Sequence, residues 1–82
     1  MWKIKLDSER TCAELVGVCQ DFKQVIPVNV CYGRYMVDGC SILGLLSLIP
    51  HTVDIWVPEM NEIIIKNFTD ELKKIGAYYE EN

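Results

Sequence analysis

The sequence predicts an α+β fold, an open-faced β-sandwich with a four-stranded antiparallel sheet and three helices on one face, in the order βαββαβα. Three observations carry this. Period-two and 3.6-period apolar patterns alternate along the chain. Turn and cap residues punctuate them at short intervals. The length, 82 residues, suits one domain, taken as 1–82.

Trp2, Ile4 and Leu6 alternate with Lys3 and Lys5, which predicts a strand over residues 2–6 with its apolar side chains on one face. Asp7 and Ser8 end it and offer a helix N-cap, favoured further by Glu9 at the positive end of the helix. Leu15, Val18, Cys19 and Phe22 share a stripe at helical spacing, giving a first helix over 9–23. Residues 25–32 are rich in β-branched side chains and read as a strand. Pro27 belongs near its start or on an edge, because it has no N–H for the ladder. Gly33 and Arg34 form a tight turn, and residues 35–37 return as the second strand of a hairpin closed by Asp38 and Gly39.

Residues 41–48 are apolar on nearly all sides, begin with a serine suited to N-capping, and stop before Pro50, so a short helix is expected. Such a helix is either deeply buried or shows part of itself to a partner. Residues 52–57 alternate as a further strand ending at Pro58 and Glu59. Residues 62–66 fit either a strand or the first turns of the last helix. Phe68, Leu72, Ile75 and Tyr79 recur at helical spacing, with Asn67 or Thr69 as cap, so that helix is expected to reach Tyr79. The acidic tail, 80–82, is expected to fray.

Half of the residues are hydrophobic and 24% charged, a globular composition. Eight basic against twelve acidic residues give a net charge of −4 with no basic stripe, so neither nucleic acid nor an anionic membrane is an expected partner. Without a signal-like N-terminus or a long apolar run, a cytoplasmic location is expected. Cys12, Cys19, Cys31 and Cys40 lack CxxC spacing, and His51 is the sole histidine. Reduced thiols packed as small hydrophobes are therefore expected rather than a metal site, with a Cys31–Cys40 bridge left open. No cofactor is expected.

Several stretches resemble the HPr phosphocarriers and their regulatory relative Crh, of the bacterial sugar phosphotransferase system. Residues 37–48, VDGCSILGLLSL, resemble the family's V-N-x-K-S-I-M-G-L-M-S-L segment, and residues 71–78, ELKKIGAY, resemble its E-A-L-E-K-L-A-A-Y end. The element order and length agree as well. The resemblance implies a phosphoryl-accepting histidine within G-L/I-H-A-R-P-A at the start of the first helix. Here that stretch is Asp7, Ser8, Glu9, Arg10, Thr11, Cys12 and Ala13. Ungapped alignment from the Ser41 segment puts Arg10 at the histidine. Alignment by the apolar stripe puts Ser8 there and Arg10 at the family arginine.

Neither register supplies an imidazole. Reversible transfer needs a group that is nucleophilic near pH 7 and holds phosphate at high transfer potential. A serine ester is too stable, and an arginine stays protonated. The expectation is therefore a non-enzymatic regulatory or binding module rather than a carrier. The resemblance further implies a regulatory phosphorylation site at Ser41, at a helix N-terminus where a dianion is favoured, although the family's preceding lysine is Cys40 here. It also implies a partner-binding patch of Ile42, Leu43 and Leu46, with HPr kinase or a LacI-type transcriptional regulator as partners. The alternatives are a phosphocarrier using Ser8 or Cys12 as acceptor, and an HPr-fold scaffold with an unrelated partner.

Overall fold

The alternation of the first strand decides which side of the sheet is covered. In the computed structural model, which describes residues 1–58 and 61–80, Trp2, Ile4 and Leu6 are buried, Lys3 is half-buried and Lys5 is exposed. Strand β1 (Trp2–Lys5) pairs antiparallel with β4 (Thr52–Trp56), Ile4 opposite Val53. Strand β4 also pairs with β2 (Asn29–Tyr32), which forms a hairpin with β3 (Tyr35–Asp38). Helices α1 (Glu9–Phe22), α2 (Ile42–Leu46) and α3 (Glu62–Lys74) supply Cys12, Leu15, Val18, Cys19, Leu45, Phe68 and Leu72 to the same core as Trp2, Ile4, Val30, Val53 and Ile55. On the other face, Lys3 of β1 pairs with Asp54 of β4 in a partly exposed ion pair. This is the predicted antiparallel open-faced sandwich.

One strand more than predicted is present. Strand β5 (Tyr78–Tyr79) pairs with β1, Trp2 opposite Tyr79, so the sheet has five strands in the order β3-β2-β4-β1-β5. The last helix therefore does not reach Tyr79. Gly76 adopts φ +94, its N–H donates to the Lys73 carbonyl at 3.2 Å, and the Ala77 N–H donates to the Leu72 carbonyl at 3.0 Å. That bond pair is the Schellman motif, which needs a left-handed residue after the C-cap, and glycine takes that conformation without a Cβ clash. Tyr79 kept helical spacing with Leu72 by coincidence of sequence. Its ring packs edge-on to Trp2 from the strand instead, with centroids 5.7 Å apart. Glu80 of the expected frayed tail is tied down, its N–H donating to the Met1 carbonyl at 3.0 Å. Glu81 and Asn82 lie outside the described residues, as do residues 59–60, which include the Glu59 expected to close β4.

Residues 62–66 are the first turns of α3. The cap is Asn61 rather than Asn67 or Thr69, which lie inside the helix. The Asn61 Oδ1 accepts from the N–H groups of Ile63 and Ile64 at 3.0 and 3.2 Å. Asn61→Ala removes this acceptor and is expected to lower the unfolding free energy by about 1 kcal/mol, measured by urea unfolding. An unchanged midpoint and slope would show that the cap contributes nothing.

Strand β2 is shorter than the apolar run that predicted it. The N–H groups of Val25 and Ile26 both bond to the Phe22 carbonyl at 2.9 Å, so residues 23–28 turn off the end of α1, with Ile26 and Val28 in the core. Pro27 falls outside the ladder, as its missing N–H requires. The short helix is likewise trimmed to Ile42–Leu46, followed by turn bonds from Leu48 and Ile49 back to Leu45 and Leu46.

Three edge-on aromatic contacts knit the layers. Phe68 meets Trp2 at 5.5 Å and Phe22 at 5.1 Å between centroids, joining α3 to β1 and α1. The Trp2 indole Nε1–H is buried and, among the described residues, has no hydrogen-bond partner. Trp2→Phe removes this orphan donor while keeping an aromatic ring, so the lost contact area and the relieved desolvation oppose each other. The unfolding free energy is expected to change by less than about 1 kcal/mol. A loss well beyond that in urea unfolding would show that the lost contact area outweighs the relieved desolvation.

Candidate functional site

Two helix starts carry the residues singled out by the sequence. At α1 the cap is Ser8, whose Oγ accepts from the Thr11 N–H at 3.3 Å, while the Thr11 hydroxyl donates to Asp7 Oδ1 at 2.7 Å. Ser8 thus spends its oxygen on the helix, and the adjacent Asp7 carboxylate accepts the hydrogen bond of the Thr11 hydroxyl. Asp7 and Glu9 flank it, so an incoming phosphoryl donor meets negative charge. Arg10 is exposed and, among the described residues, forms no ion pair. Cys12 is fully buried, and burial, followed by Glu9 and Asp7, pushes its thiol up from the ordinary value. A buried thiol made less acidic is the reverse of an activated nucleophile.

At α2 the cap is Ser41, as expected. Its Oγ accepts from the Gly44 N–H at 3.1 Å and its own N–H donates to the Asp38 carbonyl at 2.9 Å. Asp38 Oδ1 holds the Cys40 N–H at 2.8 Å. The turn between them is pressed onto α1. A Cβ placed on Gly39 would stand 2.7 Å from Cys19 Sγ and 3.2 Å from the Val28 carbonyl oxygen, so no side chain fits there. The same approach brings Lys23, the C-cap of α1, close enough to pull the Cys40 thiol down against the upward push of burial and Asp38. Lys23 thus acts on Cys40, the residue before Ser41, from the end of a different helix, although burial and Asp38 outweigh it and the thiol stays raised. Its place at the end of a different helix gave no local signal.

Ile42 is 38% exposed and Leu43 77% exposed, whereas Leu46 is half-buried and Leu45 belongs to the core. The patch is therefore Leu43 and Ile42 at the surface, with Leu46 sloping into the interior. Ser41 and this patch lie together. Ser8 and Arg10 do not join them, because the turn before Ser41 meets α1 at Cys19, about 13 Å along the helix from Arg10. His51 is exposed, at the other end of α2, and stacks on Tyr32 with ring centroids 4.2 Å apart. All four cysteines are free. Among the described residues no group of three His, Cys, Asp or Glu side chains could hold a metal, and no helix is long and apolar enough to cross a membrane.

The backbone carrying these two helix starts superposes on the crystal structure of HPr-C-His from Thermoanaerobacter tengcongensis with a TM-score of 0.62. The match covers 92% of this chain and 93% of the other. The chain has the HPr fold. Sequence identity is 20%, so the likeness is one of fold. No protein-family model and no curated protein matches the sequence. Within the HPr fold described above, β5 is the element by which this sheet exceeds the four strands expected from the sequence. It adds to the edge beside β1, on the opposite side of the sheet from the β2–β3 hairpin.

Proposed function

We propose that this protein is an HPr-fold regulatory module, related to the sugar phosphotransferase system, that binds a protein partner through α2 rather than carrying phosphate. The carrying observation is Leu43, an aliphatic side chain 77% exposed at the start of a capped helix, beside half-exposed Ile42. A large apolar side chain held in water on a rigid element costs solvation that a partner would relieve, and polar neighbours at its rim suit a docking surface. Leu46 extends the patch toward the core.

Ser41 is the switch in this reading. A phosphate on its Oγ would lie by the Gly44 N–H at the start of α2, which favours a dianion, while the Asp38 carboxylate opposes it. The partners are HPr kinase, acting on Ser41, and a LacI-type transcriptional regulator reading the result. A cytoplasmic location accompanies this reading. The start of α1 supports the rejection of carriage: it contains no imidazole, its serine is a cap, and its thiol is buried with a raised pKa.

Intact-mass spectrometry after two incubations tests the proposal. One uses phosphoenolpyruvate with the first enzyme of the phosphotransferase system, the other ATP with HPr kinase, each with native chain and Ser41→Ala. One phosphate added by the kinase alone, and absent from Ser41→Ala, is the expected result. Phosphate from phosphoenolpyruvate would make the chain a carrier with Ser8 or Cys12 as acceptor. No added mass in either arm would remove the switch and leave a scaffold role.

A further inference from the structure

The outer edge of β3 and the turn before it carry four backbone groups that are unpaired among the described residues and whose order along the chain is self-complementary. The hairpin pairs Tyr32 with Tyr35 across the two-residue turn Gly33–Arg34, in which Gly33 takes φ +60 and Arg34 does not have a positive φ. In such a hairpin the residues flanking the turn exchange hydrogen bonds, and bonded and non-bonded pairs then alternate along the ladder. Tyr35 and Val37 therefore face β2. The Gly39 N–H, donating to the Val28 carbonyl at 2.9 Å, continues that alternation and fixes its phase. The Met36 N–H and carbonyl, the Asp38 N–H and the Arg34 carbonyl must then point away from the sheet. The Asp38 carbonyl points the same way but is occupied by the Ser41 N–H.

β3 is the last strand on its side of the sheet. Tyr35 is 55% and Met36 61% exposed, and neither Arg34 nor Asp38 is in an ion pair among the described residues. We infer that this edge pairs with the same edge of a second copy of the chain, antiparallel about a two-fold axis through Met36. The partner is argued from register and charge together. Centring on Met36 lets the two Met36 residues exchange both of their hydrogen bonds and sets each Asp38 N–H against the Arg34 carbonyl of the other copy. Every free group of both edges is then satisfied. Centring on Val37 instead would turn the Met36 N–H toward the Asp38 carbonyl that Ser41 already occupies, and would strand the Arg34 carbonyl. Centring on Asp38 would oppose two carboxylates.

The same register puts Arg34 opposite Asp38 of the other copy at both ends of the ladder, two opposite-charge pairs generated by symmetry. Met36 and Asp38 are alternate residues of β3 and share one side of the strand, and Arg34 precedes Met36 by the same two-residue step from within the turn. The product is a continuous sheet through both copies with the α2 patches left outside the pairing ladder. So short a ladder stays below the ~1,200 Å² of a permanent complex, and the association is therefore concentration-dependent.

Sedimentation equilibrium from about 10 μM to about 1 mM is expected to show the weight-average mass rising from 9.4 kDa toward the dimer value. In a parallel dilution series by NMR, the amides of Met36 and Asp38 should shift most, while those of Tyr35 and Val37, already bonded to β2, should shift little. Arg34→Glu sets like charges against each other at both ends and should weaken association about tenfold or more. Asp38→Lys should do the same. A mixture of the two variants restores opposite charges at both ends and should associate better than either alone. Each variant is checked for native dispersion in the NMR spectrum, since Asp38 also holds the Cys40 N–H. A monomer throughout the range, shifts centred on another edge, or an Arg34→Glu chain that associates as well as the native one would overturn the inference.

Discussion

Phe68→Ala is expected to lower the unfolding free energy by about 3–5 kcal/mol, the range for truncating a fully buried aromatic side chain. Phe68 has no exposed surface and sits where α3 crosses onto α1 and β1, with its ring edge-on to both Trp2 and Phe22. Truncation removes the transfer contribution of the ring and leaves a void that three elements would have to close together. For a chain of 82 residues the total stability is about 4–12 kcal/mol, so the variant should lie near the edge of folding at 25 °C. Phe68→Leu keeps most of the volume and should cost about 1–2 kcal/mol. Urea unfolding followed by tryptophan fluorescence compares the three chains, Trp2 reporting directly on the contact. A loss below about 1 kcal/mol for the alanine variant would mean that the ring is not a keystone of this core.

The second large effect is an alkaline loss of stability. Cys19 is completely buried, and its thiol is pushed up from 9.0 to about 12, first by burial and then by the neighbouring Cys40 and Asp38. A folded pKa above the unfolded one means that the native state keeps a proton which the unfolded chain gives up. The neutral thiol is therefore fully compatible with the fold below pH 9, and stability declines as pH rises from 9 toward 12. Three pKa steps correspond to at most about 4 kcal/mol. Cys12, also raised by burial, acts in the same direction. Urea unfolding across this range should show a steep decline for the native chain and a shallower one for Cys19→Ala, whatever that variant loses at neutral pH. Thiolate absorbance from Cys19 appearing near pH 9 in the folded protein would refute the assignment, because burial would then not be holding the proton.

The parts of this fold that were legible in the sequence are those decided within about four residues of chain. The alternation of Trp2, Ile4 and Leu6 and the α1 stripe set their own periods. Ser8 and Ser41 cap helices because an N-cap bond spans only three residues. The boundaries that moved were drawn by periodicity alone. Tyr79 fits the helical spacing of α3, yet Gly76 ends the helix two residues before β5 begins. Asn67 and Thr69 are competent caps, but Asn61 lies one turn or more upstream and allows the residues between to continue the same helix. The stretch 25–28 is as β-branched as a strand but is drawn into the turn after α1 by the Phe22 carbonyl.

For the candidate site, sequence named the cap and the patch, and tertiary structure divided the patch. Ile42, Leu43, Leu45 and Leu46 are alike as a string, and only packing against the sheet and α1 decides that Leu45 is core and Leu43 is exposed. The turn before Ser41 lies against α1 because Gly39 has no Cβ to meet Cys19, and Lys23 at the end of that helix acts on the Cys40 thiol. The burial of Cys12, which raises the pKa of its thiol, is part of the same division. Gly39 thus does its work through Cys19 and Val28, neighbours distant in the chain.

By itself the sequence determined where most helices and strands lie, which helix starts carry capping serines, and that the start of α1 has no imidazole. Those properties follow from residue identity and from interactions a few residues long. Only the tertiary structure decided that β4 lies between β1 and β2, that the edge of β1 is covered by β5, and that β3 is left at the sheet's open side with Met36 facing outward. The physical reason is that strand pairing is settled by which faces can be buried together once long loops have closed. The chain meets that entropy cost only in the folded whole.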